Sequence, residues 1–308
     1  MAFDFYFAGT QSEQTSQLLV NLNANILKSY VNDMKHISDL IELKKNGKYK
    51  GKLLIDSGAF TVHRKGGTVD VDKYIEWLNN NSQHLDYFIQ LDHIPGVFGQ
   101  QRTAEHIKES TQKTWENYLY MVSKLNEPFK LIPVYHKNEP YEQLERIVQH
   151  KIDGKSIEYV CISGEKDRIT DDRKKWINTC FSIIKNSNNP NVKVHYLGCA
   201  IKAELEMFPF TSSDATSWLM CGANGSIMTD YGPIFISDRG LGDSDNFKNL
   251  PEEAKKKIEN LALAQGMTIK QLQEDYKSRS DFNVMHLFNW ANNYEYKGPN
   301  VFRKGGLF

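Results

Sequence analysis

Three aspartates and a histidine stand where short apolar runs of this sequence give out. Asp56 follows "LLI", Asp92 closes "FIQLD", His136 closes "LIPVYH", and Asp214 lies within "SSDATSW". Gly164 and Glu165 follow "VCIS" in the same way. Carboxylates gathered at strand ends supply the parts of acid, base and nucleophile. The plainer alternative is that each aspartate caps the helix that follows it, a task the residue suits. Clustered carboxylates also suit a hard cation, with His93 or His136 adding an imidazole. No H-E-x-x-H and no cysteine cluster supports that option.

For these residues to meet, the apolar runs must be strands that end at one place. The candidates are "FDFYFAG", "ANILKSYV", "KLLIDSG", "LDYFIQLD", "FKLIPVYH", "IEYVCISG", "VKVHYLG" and "SSDATSW". Amphipathic, helix-period segments lie between them at 33–46, 71–80, 103–125, 141–150, 171–186 and 201–207. Alternating strand and helix periods are the pattern of a parallel α/β protein. Continuous apolar strands imply burial on both faces, and eight such units fit a closed (β/α)8 TIM barrel, with an open doubly wound sheet as the alternative. A barrel brings the C-terminal strand ends to one mouth, where loops aim polar side chains over an apolar core. The weakest units come first: 8–23 is polar with only "LLV" as a periodic clue, and "ANILKSYV" reads as strand or helix.

Beyond Trp218 the pattern changes. "GSIMTDYGPIFISDRG" reads as a β-hairpin turning at 230–232, and 251–278 as two charged helices broken near Gly266, the second capped by Thr268. The expected organisation is a barrel over 1–240 and a C-terminal helical extension over 241–308 packed on it. Lys plus Arg and Asp plus Glu both total 38, so binding to a nucleic acid needs a local basic face. Cys161, Cys180, Cys199 and Cys221 form no C-x-x-C and read as reduced thiols of a cytoplasmic protein. The N-terminal residues carry no basic n-region, and no segment approaches 18 uninterrupted apolar residues, so neither secretion nor membrane insertion is expected. "KGGT" and "RKGG" match no phosphate-loop pattern and read as turns.

The order of these motifs resembles the queuine-type tRNA-guanine transglycosylases, and more closely their DNA-acting relatives, the deazapurine-in-DNA transglycosylases of phages and bacterial islands. The resemblance runs from about residue 3 to 239. "IDSGAFTV" resembles the family's T-D-S-G-G-F-Q-V, "QLDHIPG" its F-D-E-C-x-P, "CISGE" its G-G-L-A-V-G-E, and "VHYLGCA" its R-Y-L-M-G-V-G. "SSDATSW" falls where the family has F-D-C-V-x-P-T-R, and "ANGSIMTDYGPIFI" resembles its R-N-G-x-x-F-T-x-D-G-x-I-x-I hairpin.

The resemblance implies that Asp214 is the nucleophile that attacks C1′ and displaces guanine, and that Asp56 is the general acid and base. It places Asp92 against the donors of the base, with Ser57, Gly164, Glu165, Leu197 and Gly198 completing a flat slot. His136 stands where the tRNA enzymes carry a glutamine. A double displacement of this kind proceeds with retention, as in retaining glycosidases. The implied partners are DNA and a 7-deazaguanine base such as preQ0 or a derivative, with exchange in the cytoplasm, or the host cytoplasm for a phage protein.

Weak candidates for nucleic-acid contact are Arg64, Lys65, Arg102, Lys137, Lys166 and Arg168 on loops after strand ends, with Phe60, His63, Phe98 and Trp218 as stacking surfaces. The tRNA enzymes carry a C-x-C-x-x-C zinc site and a distant histidine just after the hairpin, whereas 247–282 here holds no cysteine. No metal and no cofactor is therefore expected, His286 reads as a packed helix histidine, and DNA is favoured over tRNA. The alternatives are a tRNA enzyme with an altered C-terminus, a non-catalytic nucleic-acid-binding barrel, and a glycosidase acting on simple sugars. A homodimer is open by family analogy.

Overall fold

The computed structural model of the chain describes residues 3–9, 12–164, 170–230, 232–238 and 246–298. Each of the eight apolar runs contains a strand. They are β1 (Asp4–Ala8), β2 (Asn25–Ser29), β3 (Leu53–Asp56), β4 (Tyr87–Ile89), the pair β5 (Leu131–Ile132) and β6 (Val134–His136), and then, after a two-stranded turn β7 (Lys151–Ile152) and β8 (Lys155–Ser156), β9 (Tyr159–Ser163), β10 (Lys193–Tyr196) and β11 (Ser212–Ala215). The hairpin is β12 (Ser226–Thr229) and β13 (Gly232–Phe235), antiparallel as its turn signal implied.

Nine α-helices accompany these strands among the described residues, six matching the amphipathic segments and three, at 13–21, 59–64 and 217–223, lying outside them. They are α1 (Glu13–Asn21), α2 (Met34–Lys45), α3 (Ala59–Arg64), α4 (Val71–Asn81), α5 (Ala104–Lys124), α6 (Tyr141–Gln149), α7 (Asp171–Asn186), α8 (Lys202–Met207) and α9 (Ser217–Ala223). The C-terminal part holds α10 (Glu252–Ala264), α11 (Ile269–Glu274) and α12 (Tyr276–Asn292). Thr268 caps α11, its side chain accepting from the Gln271 N–H in a reciprocal capping box. No helix among the described residues is long and apolar enough to cross a membrane.

Nine strands form one parallel sheet in the order β5-β4-β3-β2-β1-β11-β10-β9-β6. Its two edge strands are consecutive in the chain, separated only by Pro133, so the sheet curls until its edges meet. Proline has no N–H to give to a ladder, which breaks the strand in two. The carbonyls still serve both neighbours: Ile132 O accepts from Gln90 N at 3.1 Å, and Pro133 O accepts from Cys161 N at 2.8 Å. The result is a nearly closed, parallel, barrel-like sheet surrounded by helices.

Side chains alternate across each strand. Tyr6, Leu27, Leu54, Ile89, Ile132 and Cys161 belong to one buried cluster, the inward face. Their neighbours Phe5, Phe7, Ile26, Leu53, Ile55 and Phe88 pack outward in the larger cluster shared with the helices. Burial on both faces is the reason these strands read as continuous apolar runs.

The helix α12 is tied to the barrel by buried polar groups. The Asn283 amide donates to Trp218 O at 2.9 Å and accepts from Met228 N at 2.6 Å, while Arg279 Nε donates to Gly222 O at 2.8 Å. Val284 and Leu287 are wholly buried in the main core and Phe282 in the hairpin's cluster, each contributing about 1.5–3 kcal/mol.

Candidate active site

β11 is a polar strand in a buried place, since Ser212, Ser213, Asp214 and Ala215 are all buried. It tolerates this because its hydroxyls are matched. The outward Ser213 Oγ donates to Tyr196 O at 2.7 Å and lies 2.5 Å from Cys199 O. Ser212 and Asp214, two residues apart, share the inward face.

Across from them on β10, His195 pairs in register with Ser212 and is wholly buried. Its Nδ1 lies 2.7 Å from Ser212 Oγ and its Nε2 3.2 Å from Asp214 Oδ1. Ser212 Oγ in turn lies 2.8 Å from the Tyr159 hydroxyl, and Tyr6 meets the imidazole edge-on with ring centroids 5.8 Å apart. The Gly198 N–H also donates to Asp214 Oδ1, at 2.9 Å. Among the described residues, Oδ2 of Asp214 receives no hydrogen bond.

Asp56 ends β3, and its Oδ2 accepts from the Gly58 N–H at 3.0 Å, at the N-terminal end of α3. This bond closes the turn before α3 and is not a helix cap, since Gly58 is itself the N-cap and no side chain caps the helix. Gly58 has φ +80°, and a Cβ there would sit 2.8 Å from Ser29 Oγ, so the turn after Asp56 requires glycine. Ser57 beside it is buried.

Asp92 follows β4 and is held from both sides. Its Oδ1 accepts from Gln90 Nε2 at 3.1 Å, and its Oδ2 lies 3.0 Å from His136 Nε2. Burial works against a charge on His136, but the charge of Asp92, its hydrogen bond and the charge of Glu139 outweigh it, so the imidazole pKa is raised. The positive charge of Arg102 opposes them, which sets Arg102 near the same mouth. Burial raises the pKa of the Glu139 carboxyl, whose Oε2 accepts from the His136 N–H at 3.1 Å.

Cys161, in the middle of β9, reports how these groups converge. Its thiol pKa is pushed well up, first by burial and then by the negative charges of Asp214, Asp92 and Asp56. One buried sulfur thus feels all three carboxylates.

Beside them opens a cavity of about 410 Å³, lined by Gly164, Leu197 and Gly198 on one side and by Lys202, Thr229 and Asp230 on the other. It joins the carboxylate cluster at Gly198, whose N–H holds Asp214. Three of the expected base-slot residues line it, whereas Asp56, Ser57, Asp92 and His136 lie outside its lining. On its wall Arg173 Nε meets the buried Glu204 carboxylate at 2.7 Å. Lys202 bonds Asp230 Oδ1 at 3.0 Å and also His286 on α12, so His286 is a packed helix residue with a polar tether.

Of the expected nucleic-acid contacts, Arg64, Lys65 and Arg102 are exposed and Lys137 is half-buried, all after ends of β3, β4 and β6. Glu165, Lys166 and Arg168 lie outside the described residues. Trp218 is a correction: it is wholly buried, edge-to-face on Phe7 with ring centroids 5.8 Å apart, and offers no face to a base. Phe60, in α3, and Phe98, on the loop that follows β4, are instead about half exposed and pair edge-to-face at 5.8 Å.

The residue that sequence reasoning missed is His195. Its signal was a histidine inside the strand "VKVHY", two positions before Leu197 on the inward face. The chain matches no protein-family model and no curated protein.

Proposed function

We propose that the protein is a base-exchange transglycosylase that replaces guanine in DNA with a 7-deazaguanine derivative through a covalent aspartyl-glycosyl intermediate. This reading takes the sheet as an eight-stranded (β/α)8 barrel whose fifth strand is split at Pro133. The observation that carries it is Asp214, anchored through Oδ1 by His195 and the Gly198 N–H and receiving no hydrogen bond at Oδ2 among the described residues, in a parallel sheet whose neighbouring strand ends carry Asp56 and Asp92.

In the first half-reaction Oδ2 of Asp214 forms a bond to C1′ while the C1′–N bond to guanine breaks. The electron pair of that bond leaves with the base, and Asp56 supplies the proton that neutralises it. In the second, the incoming base attacks C1′, Asp56 takes back the proton from its ring nitrogen, and the Asp214 carboxylate departs. Two inversions give net retention, and a carboxylate on one face stabilises the oxocarbenium-like transition states between them. Asp92, steadied by Gln90 and His136, accepts from the N–H donors of the base. A base stacked in a duplex cannot reach a buried carboxylate, so it must be extruded or presented by a single strand. The exposed Phe60–Phe98 pair is suitably placed to stack on its neighbours.

The test supplies labelled guanine with duplex DNA, single-stranded DNA or tRNA and asks which polymer gains label. DNA should gain it, and Asp214→Asn should abolish both exchange and any covalent adduct. Label in tRNA alone overturns the DNA assignment, and label in no polymer overturns the reaction. Normal exchange by Asp214→Asn overturns the nucleophile.

A further inference from the structure

We infer that His195 is a positioning residue for Asp214: the carboxylate sets the tautomer with Nε2–H facing Oδ1, and Ser212 and Tyr159 tether the ring by satisfying Nδ1. The inference rests on the transglycosylase reading for its catalytic consequence, but the hydrogen-bond chain stands on geometry alone.

The chain has four groups in line, all buried: Tyr159 OH, Ser212 Oγ, the His195 ring and Asp214 Oδ1, spaced 2.8, 2.7 and 3.2 Å apart. A carboxylate only accepts, so the nitrogen that faces it must carry the hydrogen. In the neutral ring Nδ1 is then an acceptor, and Ser212 must donate to it. Ser212 has given its one hydrogen, so it accepts from Tyr159. Burial, first among several causes, raises the Tyr159 pKa, which keeps that phenol protonated and able to donate. Direction is thus set from the Asp214 end. Each polar atom of the chain has a partner, and Tyr6 holds the ring plane from the side.

The consequence concerns which oxygen attacks. His195 and the Gly198 N–H both bind Oδ1 and leave Oδ2 as the atom that meets C1′. As the bond from Oδ2 to C1′ forms, Oδ1 becomes the carbonyl oxygen of the ester and keeps both donors. When the ester is displaced, the same two donors receive the returning carboxylate. No proton moves along the chain in either step, so nothing reorganises when charge on Asp214 collapses and reappears. If the ring carried its hydrogen on Nδ1 instead, the Nε2 lone pair would face Oδ1 and turn the carboxylate away, the fault that a wrong imidazole tautomer brings to a hydrolase triad.

The test reads the tautomer and the reaction separately. In protein labelled with 15N-histidine, the ring-nitrogen shifts of His195, assigned by their absence in His195→Gln, should report the Nε2–H form. In Ser212→Ala the Nε2–H form should persist, because the carboxylate still requires it, while the ring loses its tether and kcat for guanine exchange should fall about 10- to 100-fold with KM within about twofold. Tyr159→Phe, which leaves the core volume almost unchanged, should lower kcat in the same direction. His195→Gln offers an amide N–H near the Nε2 position and should recover most of the activity that His195→Ala loses.

An Nδ1–H form in the wild type overturns the inference whatever the activity. So does an unchanged kcat in Ser212→Ala. If the wild type and Ser212→Ala both show the Nε2–H form, yet no polymer exchanges base, the transglycosylase reading fails while the chain is upheld as the device that holds Asp214.

Discussion

Replacing Arg173 by methionine should cost the fold about 3 kcal/mol at pH 7 and about 1 kcal/mol at pH 5, and removing Glu204 as well should restore most of the loss. The guanidinium Nε lies 2.7 Å from Glu204 Oε1 and 2.8 Å from the Tyr196 hydroxyl, which itself reaches the same oxygen at 3.3 Å. These contacts join α7, α8 and β10 around the loop that carries Gly198. Glu204 is wholly buried, and its pKa is raised because burial outweighs the pull of Arg173. The pair is therefore a poor source of net stability, yet it is costly to break from one side.

Protonation limits that cost. Once Arg173 is gone, Glu204 takes up a proton rather than remain a bare buried anion. From an ordinary carboxyl pKa of 4.5, this costs about 3.4 kcal/mol at pH 7 and about 0.7 kcal/mol at pH 5. For a chain of 308 residues the larger figure lowers Tm by about 5 °C. Urea denaturation followed by circular dichroism at the two pH values measures both. The double variant with Glu204→Met should come within about 1 kcal/mol of the wild type, because buried ion pairs exchange for apolar pairs at little loss. A defect in Arg173→Met that is equal at pH 7 and pH 5, or a double variant as weak as the single, refutes the reasoning.

Asp92→Asn should lower the titration midpoint of His136 in an NMR titration, since burial then acts on the imidazole with the leading opposing charge removed. In the wild type the raised folded pKa means that the His136 contribution is fully present below the unfolded value near 6.5 and lost as pH rises through the folded value. An unmoved midpoint would show that Asp92 is not the cause. Lys28 has its pKa pushed down to about 8 by burial, with Asp33 pulling the other way, while its Nζ donates to Gly9 O at 2.6 Å. The folded state therefore binds fewer protons than the unfolded one between about pH 8 and 10.5, and stability rises by roughly 3 kcal/mol across that window. Lys28→Met should flatten this rise in urea denaturation, and a wild type already flat from pH 8 to 10 would refute the assignment.

Lys28 also shows why part of the fold was hard to read. It interrupts the apolar run of β2, and the run made sense as a strand only once the lysine was seen tucked under Gly9 O. The helix α1 left little periodic signal because it buries only Thr15 and Leu19. Most other strands are legible because a parallel sheet buries both faces of each one and leaves an unbroken apolar run, whereas β11 is polar and buried through matched hydroxyls. Pro133 hid the seam instead: "FKLIPVYH" reads as one strand, yet its halves bond to opposite neighbours. Asp56, Asp92 and His136 stand out in the sequence by their place at strand ends. Trp218 was misjudged by the same rule, since α9 turns its ring inward onto Phe7. The third C-terminal helix, α12, overran the expected break pattern, although "VMHLFNW" within it already read as helical. His195 was beyond that rule altogether, because a histidine within an apolar strand looks the same whether it fills space or orients a neighbour.

The two halves of the barrel interior differ in kind, and that difference bears on where the chemistry lies. From β2 to β5 the inward residues include Leu27, Leu54, Ile89 and Ile132, which ask nothing of their neighbours beyond contact. On β9 to β11 they include Tyr159, His195, Ser212 and Asp214, each of which costs free energy to bury unless it is paired. An apolar lining on all sides would fold at least as well, so the polar half is a departure from what stability requires, and such departures gather at functional sites. Within that half Tyr159, Ser212 and His195 are matched atom for atom, and the line of hydrogen bonds ends on one oxygen of Asp214. A purely structural aspartate at the end of so complete a network gains by being met at both oxygens. Oδ2, which receives no hydrogen bond among the described residues, is the atom that a nucleophile needs free.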